Sequence, residues 1–247
     1  MCVNMRVWGI TDTGLVRKEN QDAYHVMNIA DYTVAVVCDG MGGTNGGQIA
    51  SSIAVRVFGE EMEKTLRKDM TAEQIQQAMT YGVSLANDAI RREANQKPEI
   101  RRMGTTLVGV VCRDDLAVVC NIGDSRAYRI SRDGIRQITK DHSFVEDMVE
   151  QGELTPSEAR HHPNRNLITR ALGPDAVAQA DGFHVLWKKG EFILLCSDGL
   201  VNTVTDQEIL FETIHSDQLD TCLDRLLTVS KSRGAADNVT AVLLMNI

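Results

Sequence analysis

The chain has 247 residues, 34 of them Asp or Glu and 26 Lys or Arg, for a formal net charge of -8, with 43% hydrophobic residues. These are the proportions of a globular protein long enough to bury a large core without disulfides or a structural metal. The acidic balance disfavours nucleic acid and anionic membrane surfaces as partners, and no apolar run reaches the about 18 residues a membrane helix needs.

The opening MCVNMRVWGITDTG has neither a signal segment nor an acylation motif, which leads us to expect a cytoplasmic protein. Six cysteines stand at positions 2, 38, 112, 120, 196 and 222 without a C-x-x-C pair. Four lie in apolar runs, as buried reduced thiols do, and this argues against a zinc site or a disulfide framework. Cys38 and Cys196 each lie close to an aspartate, which raises the prospect of oxidative inactivation. No repeat, linker or low-complexity stretch divides the chain, so a single domain over 1–247 is expected.

Taken in chain order, AYHVMNI (23–29) and YTVAVVC (32–38) read as strands. A glycine-rich loop, CDGMGGTNGGQ (38–48), leads into a helix with Ile49, Ile53, Val57 and Met62 at helical spacing. A second helix is expected from Thr71 to about Asn95, with Thr71 and Gln74 as a capping box and Ile75, Met79, Leu85 and Ala89 on its apolar side. Strands follow at 105–112, 116–122 and 127–131, joined by the turn signals Asp114-Asp115 and Arg132-Asp133-Gly134. The segment 141–175 is polar and holds three of the four prolines; it reads as short helices and loop at the surface. Beyond it come a strand at 191–197, a helix near 217–231 carrying Leu219, Leu223, Leu226 and Leu227, and a last strand at 238–247. Strands in hairpins and helices in blocks predict an α+β fold with two sheets, not a βαβαβ alternation.

Aspartates recur where these apolar runs end. Asp39 follows AVVC, Asp124 follows VVCNIG, Asp198 follows FILLCS, and Asp237 precedes NVTAVLL; Asp22 stands just before AYHVMNI. Any one of them alone is an ordinary turn or N-cap residue. Together, at the mouth of an apolar core, they would repel one another and take up protons unless cations compensated them. The absence of H-E-x-x-H and of a Cys cluster disfavours zinc. Carboxylates with water favour Mg²⁺ or Mn²⁺, and two such ions about 4 Å apart can share a hydroxide aimed at phosphorus.

The glycine loop matches neither nucleotide fingerprint. Asn45 stands where G-x-G-x-x-G needs its third glycine, and Gln48 where the phosphate loop needs its lysine. Its glycines instead allow tight folding beside Asp39, with the Gly40 carbonyl available as a ligand.

TDTGLVRKENQDA, VVCDGMGG, MGTTLVGVV, NIGDSRAY, LLCSDGL and AADNVTAVLL, in this order, resemble the motifs of the metal-dependent Ser/Thr protein phosphatases of type 2C, bacterial stand-alone members in particular. The resemblance spans nearly the whole chain. It implies two antiparallel sheets packed as a sandwich and flanked on both sides by helix pairs, with 141–175 as a flap beside the active site. It also implies roles. Asp39 and Gly40 would hold a centre of two Mn²⁺ or Mg²⁺ ions, Asp198 and Asp237 would complete one ion's shell, and Asp22 would act through water. Asp124 with Asp198 would form a third, weaker site, and Arg17 would bind the phosphoryl group, for which its planar fork is suited. Two positions depart from the pattern. Met41 replaces a histidine that serves many eukaryotic members as a proposed general acid, and Gln21 replaces a glutamate, weakening one water-mediated metal contact. Asn238-Val239-Thr240 has the form of a glycosylation sequon, which we discount in a cytosolic chain.

The expected activity is hydrolysis of phosphoserine and phosphothreonine on proteins by direct attack of a metal-activated water, with no phosphoenzyme. The expected partners are phosphorylated proteins and a cognate bacterial Ser/Thr kinase, and the expected state is a monomer. A pseudo-enzyme that binds phosphoproteins or kinases is the alternative, against which the retained acids argue. A two-metal nuclease is disfavoured by the missing basic patch.

Overall fold

The structure is a computed structural model of the chain, and it describes residues 5–43, 45–97, 100, 102–215 and 218–247. Cys2 and Pro98, and the opening MCVN, lie outside the described residues. The strands in chain order are β1 (Met5–Asp12), β2 (Ala23–Ile29), β3 (Tyr32–Cys38), β4 (Gly40–Met41), β5 (Gly104–Thr105), β6 (Leu107–Arg113), β7 (Leu116–Ile122), β8 (Arg126–Ser131), β9 (Gly134–Gln137), β10 (Asp181–Leu186), β11 (Phe192–Cys196) and β12 (Val239–Asn246). The helices are α1 (Gly46–Thr65), α2 (Ala72–Gln96), α3 (Phe144–Glu150), α4 (Pro156–His161), α5 (Asp198–Val201), α6 (Asp206–Ile214) and α7 (Cys222–Ser232).

Two five-stranded antiparallel sheets form, in the orders β1-β12-β11-β8-β9 and β10-β7-β6-β3-β2. Their strands read as continuous apolar runs because both faces are covered. Along β3, Ala35 and Val37 point between the sheets, where they meet Val108, Val119, Ile193, Leu195 and Val242. Val34, Val36 and Cys38 point the other way, onto Ala54, Phe58 and Met62 of α1 and Met79 and Val83 of α2. On the far side Tyr128, Leu194, Cys196 and Leu243 pack against Leu200, Ile209, Leu223 and Leu226 of α5, α6 and α7. The three clusters define the layering helix, sheet, sheet, helix: two sheets, as the α+β reading expects, with helices on both outer faces, as the resemblance implies.

Several boundaries differ from expectation, each for a physical reason. In α1 the buried line is Ala50, Ala54, Phe58 and Met62, while Ile49, Ile53 and Val57 are half-buried; the two alanines let the helix lie close on the sheet. In α2 the capping box of Thr71 and Gln74 is formed, but the buried stripe runs Ile75, Met79, Val83, Ala86, Ile90, with Leu85 and Ala89 beside it. The run 105–112 splits at Thr106, whose hydroxyl turns away to bond a neighbouring loop. The helix expected from 217 starts at Cys222, with Leu219 in a preceding single turn.

Candidate active site

Antiparallel register carries the aspartates to one end of both sheets. Ala23 pairs with Cys38, so Asp22 and Asp39 adjoin just past the β2–β3 ladder. The Thr106 N–H donates to the Asp39 carbonyl at 2.9 Å, and Leu107 pairs with Ile122, which brings Gly123 and Asp124 alongside. In the other sheet Cys196 pairs with both Arg126 and Ala241, setting Asp198 level with Asp124 and next to the chain entering β12 from Asp237.

Neutral groups from neighbouring elements hold the Asp39 backbone and the carboxylates of Asp22 and Asp198. The Asp39 N–H donates to Thr106 Oγ1 at 2.9 Å and its carbonyl accepts from Thr105 Oγ1 at 2.8 Å. Ser197 Oγ donates to Asp22 Oδ2 at 2.8 Å while accepting the Thr240 N–H at 3.0 Å. Asn202 Nδ2 donates to Asp198 Oδ2 at 3.0 Å. A Cβ on Gly40 would stand 2.2 Å from the Gly47 carbonyl oxygen and 2.5 Å from that of Gln21, so only glycine permits this approach. Asn238 fastens the Arg17 loop: its Nδ2 donates to the Thr13 and Glu19 carbonyls and its Oδ1 accepts the Gln21 N–H at 2.8 Å. The sequon's amide is therefore committed inside the fold. Thr106, Ser197 and Asn238 escaped the sequence reading. For Ser197 and Asn238 the available signal was a hydroxyl or amide side chain next to Asp198 and Asp237; Thr106 carried none.

Arg17 is exposed on the β1–β2 loop, and its Nη2 donates to Asp237 Oδ2 at 2.8 Å. The attraction of Asp237, and secondarily of Asp39 and Asp198, raises the affinity of the guanidinium for its proton. All the expected site residues thus meet at one mouth.

Burial first, with repulsion from neighbouring carboxylates added, raises the proton affinity of Asp22, Asp39, Asp124 and Asp198. Asp22 is pushed up to about 6, although its hydrogen bonds from Thr240 and Ser197 act against this. Asp124 is pushed up to about 8 by burial, Asp198 and Asp141. Asp39 lies well above the usual carboxylate range through burial and the charges of Asp22, Asp198, Asp124 and Asp237; Asp198 is raised by burial and Asp237. The buried Oδ1 atoms of Asp22, Asp124 and Asp198 have no hydrogen-bond partner in the protein. Hard divalent cations fit such unsatisfied oxygens. Among the described residues no three His, Cys, Asp or Glu side chains close around one point as direct ligands would. An ion here would draw on a few carboxylates, a carbonyl and water, the coordination Mg²⁺ and Mn²⁺ accept.

The two departures have structural counterparts. Gln21 Nε2 donates to the Gly43 carbonyl at 3.1 Å, so its amide braces the glycine loop. Met41 pairs with Gly104 in the short β4–β5 ladder and directs its methyl group to that glycine. The oxidation reading does not hold: Cys38 and Cys196 are fully buried, and burial raises both thiols, Cys196 to about 12.

Residues 141–175 form α3, α4 and loop, tied back by bridges from Ser143 to Ile168 and from Thr105 to Leu172. The segment walls a cleft of about 510 Å³ whose floor includes Asp124 and Asp198 and whose flap side presents Arg160 and Arg165. At its root Arg126 clamps Asp141 in a bidentate pair, Nε to Oδ1 at 2.9 Å and Nη2 to Oδ2 at 2.6 Å.

With this geometry in hand, comparison with known proteins is specific. Residues 16–243 match the family model described as Protein phosphatase 2C. The chain is 35% identical over 236 residues to the serine/threonine phosphatase stp of Listeria innocua, covering 95% of this chain and 93% of that one. Its structure superposes on the serine/threonine phosphatase of S. agalactiae with a TM-score of 0.92 at 30% identity, covering 98% and 100% of the two chains. It also superposes on the catalytic domain of the phosphatase PstP in complex with two manganese ions, with a TM-score of 0.82 at 29% identity, covering 98% and 97%.

Proposed function

The chain belongs to the protein phosphatase 2C family and is a protein serine/threonine phosphatase, and from that premise we propose how its own residues carry the reaction. Asp39 and the Gly40 carbonyl would hold two Mn²⁺ or Mg²⁺ ions, Asp198 and Asp237 would complete one shell, and Asp22 would act through water. Asp124 with Asp198 would take a third, weaker ion. The observation that carries this reading is the set of orphaned, buried carboxylate oxygens on Asp22, Asp124 and Asp198 within one group of mutually repelling acids. Bound there, the ions supply compensating charge and acidify water for attack on phosphorus.

The remaining work falls to side chains. Arg17 exchanges Asp237 for the phosphoryl oxygens of the substrate, which its fork can engage in pairs. Water forms the new P–O bond and the seryl or threonyl oxygen leaves. Met41 carries no proton, so the leaving oxygen takes one from water. Burial of Cys38, Cys196 and Ser197 supports water, not a side chain, as the nucleophile. The flap cleft beside Asp124 and Asp198 offers room for the polypeptide around the phosphoresidue. The substrates are phosphorylated proteins; in the cell the activity opposes a cognate Ser/Thr kinase.

The chain acts as one catalytic domain, as a monomer, in the cytoplasm. Five free, buried cysteines among the described residues support a reducing compartment, and no helix among those residues is long and apolar enough to cross a membrane. The test is hydrolysis of p-nitrophenyl phosphate and a phosphothreonine peptide with Mn²⁺, then with EDTA. Turnover with Mn²⁺ that EDTA abolishes is expected. Turnover that survives EDTA would overturn the metal assignment, and binding of phosphopeptide without turnover would favour a phosphoprotein-binding role.

A further inference from the structure

One buried imidazole at the flap root has no part in the chemistry above. His142 follows Asp141 and is 4% exposed. Its backbone N–H donates to the Gly123 carbonyl at 2.9 Å, and the Gly123 N–H donates to its ring Nδ1 at 3.0 Å. One residue thus satisfies both backbone groups of Gly123. Because Nδ1 accepts, the ring proton lies on Nε2, which donates to Asp181 Oδ2 at 3.1 Å. Arg170 Nη1 lies 3.3 Å from both Nε2 and Asp181 Oδ1; with Nε2 protonated, its N–H is directed to the carboxylate. The His142 carbonyl in turn accepts the Thr169 N–H at 2.9 Å. The ring and backbone of His142 therefore join the Asp124 loop, the returning arm of the flap and the first residue of β10.

Gly123 is the lever. It adopts φ +108°, and a Cβ there would stand 2.5 Å from the Thr106 side chain, so its conformation is held from two sides. Asp124 is the next residue, and its buried Oδ1 has no hydrogen-bond partner to steer it. Its carboxylate accepts a hydrogen bond from the Asp124 backbone itself, so its direction follows the local backbone. We propose that His142 is a positioning residue: by clasping Gly123 it aims the Asp124 carboxylate, and through Arg170 and Asp181 it couples that aim to the seating of the flap. The proposal rests on the reading of Asp124 as a ligand of the third ion, and the test separates the two.

Calorimetric titration of Mn²⁺ into metal-free protein is combined with hydrogen exchange at the Gly123 amide, in wild type and in Asp124→Ala, His142→Leu, His142→Asn and Asp181→Ala. His142→Asn retains an oxygen able to accept the Gly123 N–H, whereas His142→Leu does not. The expected result is that Asp124→Ala abolishes the weak third binding step. His142→Leu weakens that step by about 10-fold or more, the range for a lost partner behind a ligand, spares the tight steps and speeds exchange at Gly123. His142→Asn recovers most of the loss. If Asp124→Ala keeps the third step, the ligand reading fails. If Asp124→Ala loses it while folded His142→Leu binds as wild type, the positioning role is overturned. Should His142→Leu not fold, Asp181→Ala decides: a several-fold weaker third step upholds the proposal, and an unchanged one overturns it.

Discussion

Arg17, proposed to bind the phosphoryl group, rests on Asp237. Their pair is exposed, with side-chain exposures of 57% and 35%, so it adds little to stability. Its consequence is positional: the guanidinium is parked at the mouth of the acid group. Arg17→Lys keeps the charge but loses the planar fork. Phosphopeptide KM is expected to rise about tenfold, the lower end of the roughly 1.5–3 kcal/mol of a hydrogen bond to a charged group, with an unfolding midpoint near that of wild type. Steady-state kinetics on a phosphothreonine peptide checks this, and an unchanged KM would remove Arg17 from phosphate binding. The acids themselves were legible in the sequence because each terminates an apolar run. The hydroxyls of Thr106 and Ser197 were not: Thr106 has no acid beside it in the sequence, a Ser beside an Asp has many ordinary uses, and only register reveals that Thr106 meets Asp39 and that Ser197 reaches Asp22 across 175 positions.

At the scale of elements, the central strands were legible and most of the edges were not. β3, β6, β7, β11 and β12 are buried on both faces and appear as unbroken apolar runs. Three strands absent from the sequence reading, β1, β9 and β10, lie at sheet edges, where half-exposed residues dilute the pattern, and the two-residue β4 is too short to show one, whereas the edge strand β2 is legible. α6 was also missed, although its start carries a capping box of Thr205 and Glu208. Glu208 further binds Arg233 through two guanidinium nitrogens and so links α6 to the end of α7. Thr205→Ala is expected to cost about 1 kcal/mol in urea unfolding. The cap also predicts a pH dependence. Hydrogen bonds from Arg233 and Thr205 lower the Glu208 carboxyl to about 2 from its ordinary 4.5. Its contribution is therefore complete above the unfolded value and lost as pH falls toward 2. In Glu208→Gln the loss of stability relative to wild type should shrink over that window; a constant difference would assign the effect to packing.

The whole molecule carries the opposite linkage at its acid mouth. There the folded chain holds protons more tightly than the unfolded chain, with Asp22 raised to about 6 and Asp124 to about 8. Across the interval from the ordinary carboxylate range up to about 8, the folded state binds more protons, so stability of the metal-free protein falls as pH rises. Each proton of difference amounts to about 1.4 kcal/mol per pH unit. Under the proposed ligation cations replace those protons, so Mn²⁺ should raise the unfolding midpoint more at pH 8 than at pH 5.5. Scanning calorimetry with EDTA and with Mn²⁺ at both values checks this; an equal increment at both would mean that the ions do not compete with protons at these carboxylates.

If the acids at this mouth hold the ions of the phosphatase, as proposed, Asp39 is the residue whose loss should matter most. It lies between the others electrostatically, yet its backbone is fixed by Thr105 and Thr106 independently of its carboxylate. Asp39→Ala should therefore fold, and in the metal-free state be at least as stable as wild type, because a repelling charge is gone. The measurement is Mn²⁺ titration of metal-free wild type and Asp39→Ala, with binding followed by calorimetry and hydrolysis of a phosphothreonine peptide recorded on the same samples. Two tight ions and turnover are expected in wild type, and loss of both in the folded variant. Near-wild-type turnover in Asp39→Ala at saturating Mn²⁺ would contradict the proposed ligation.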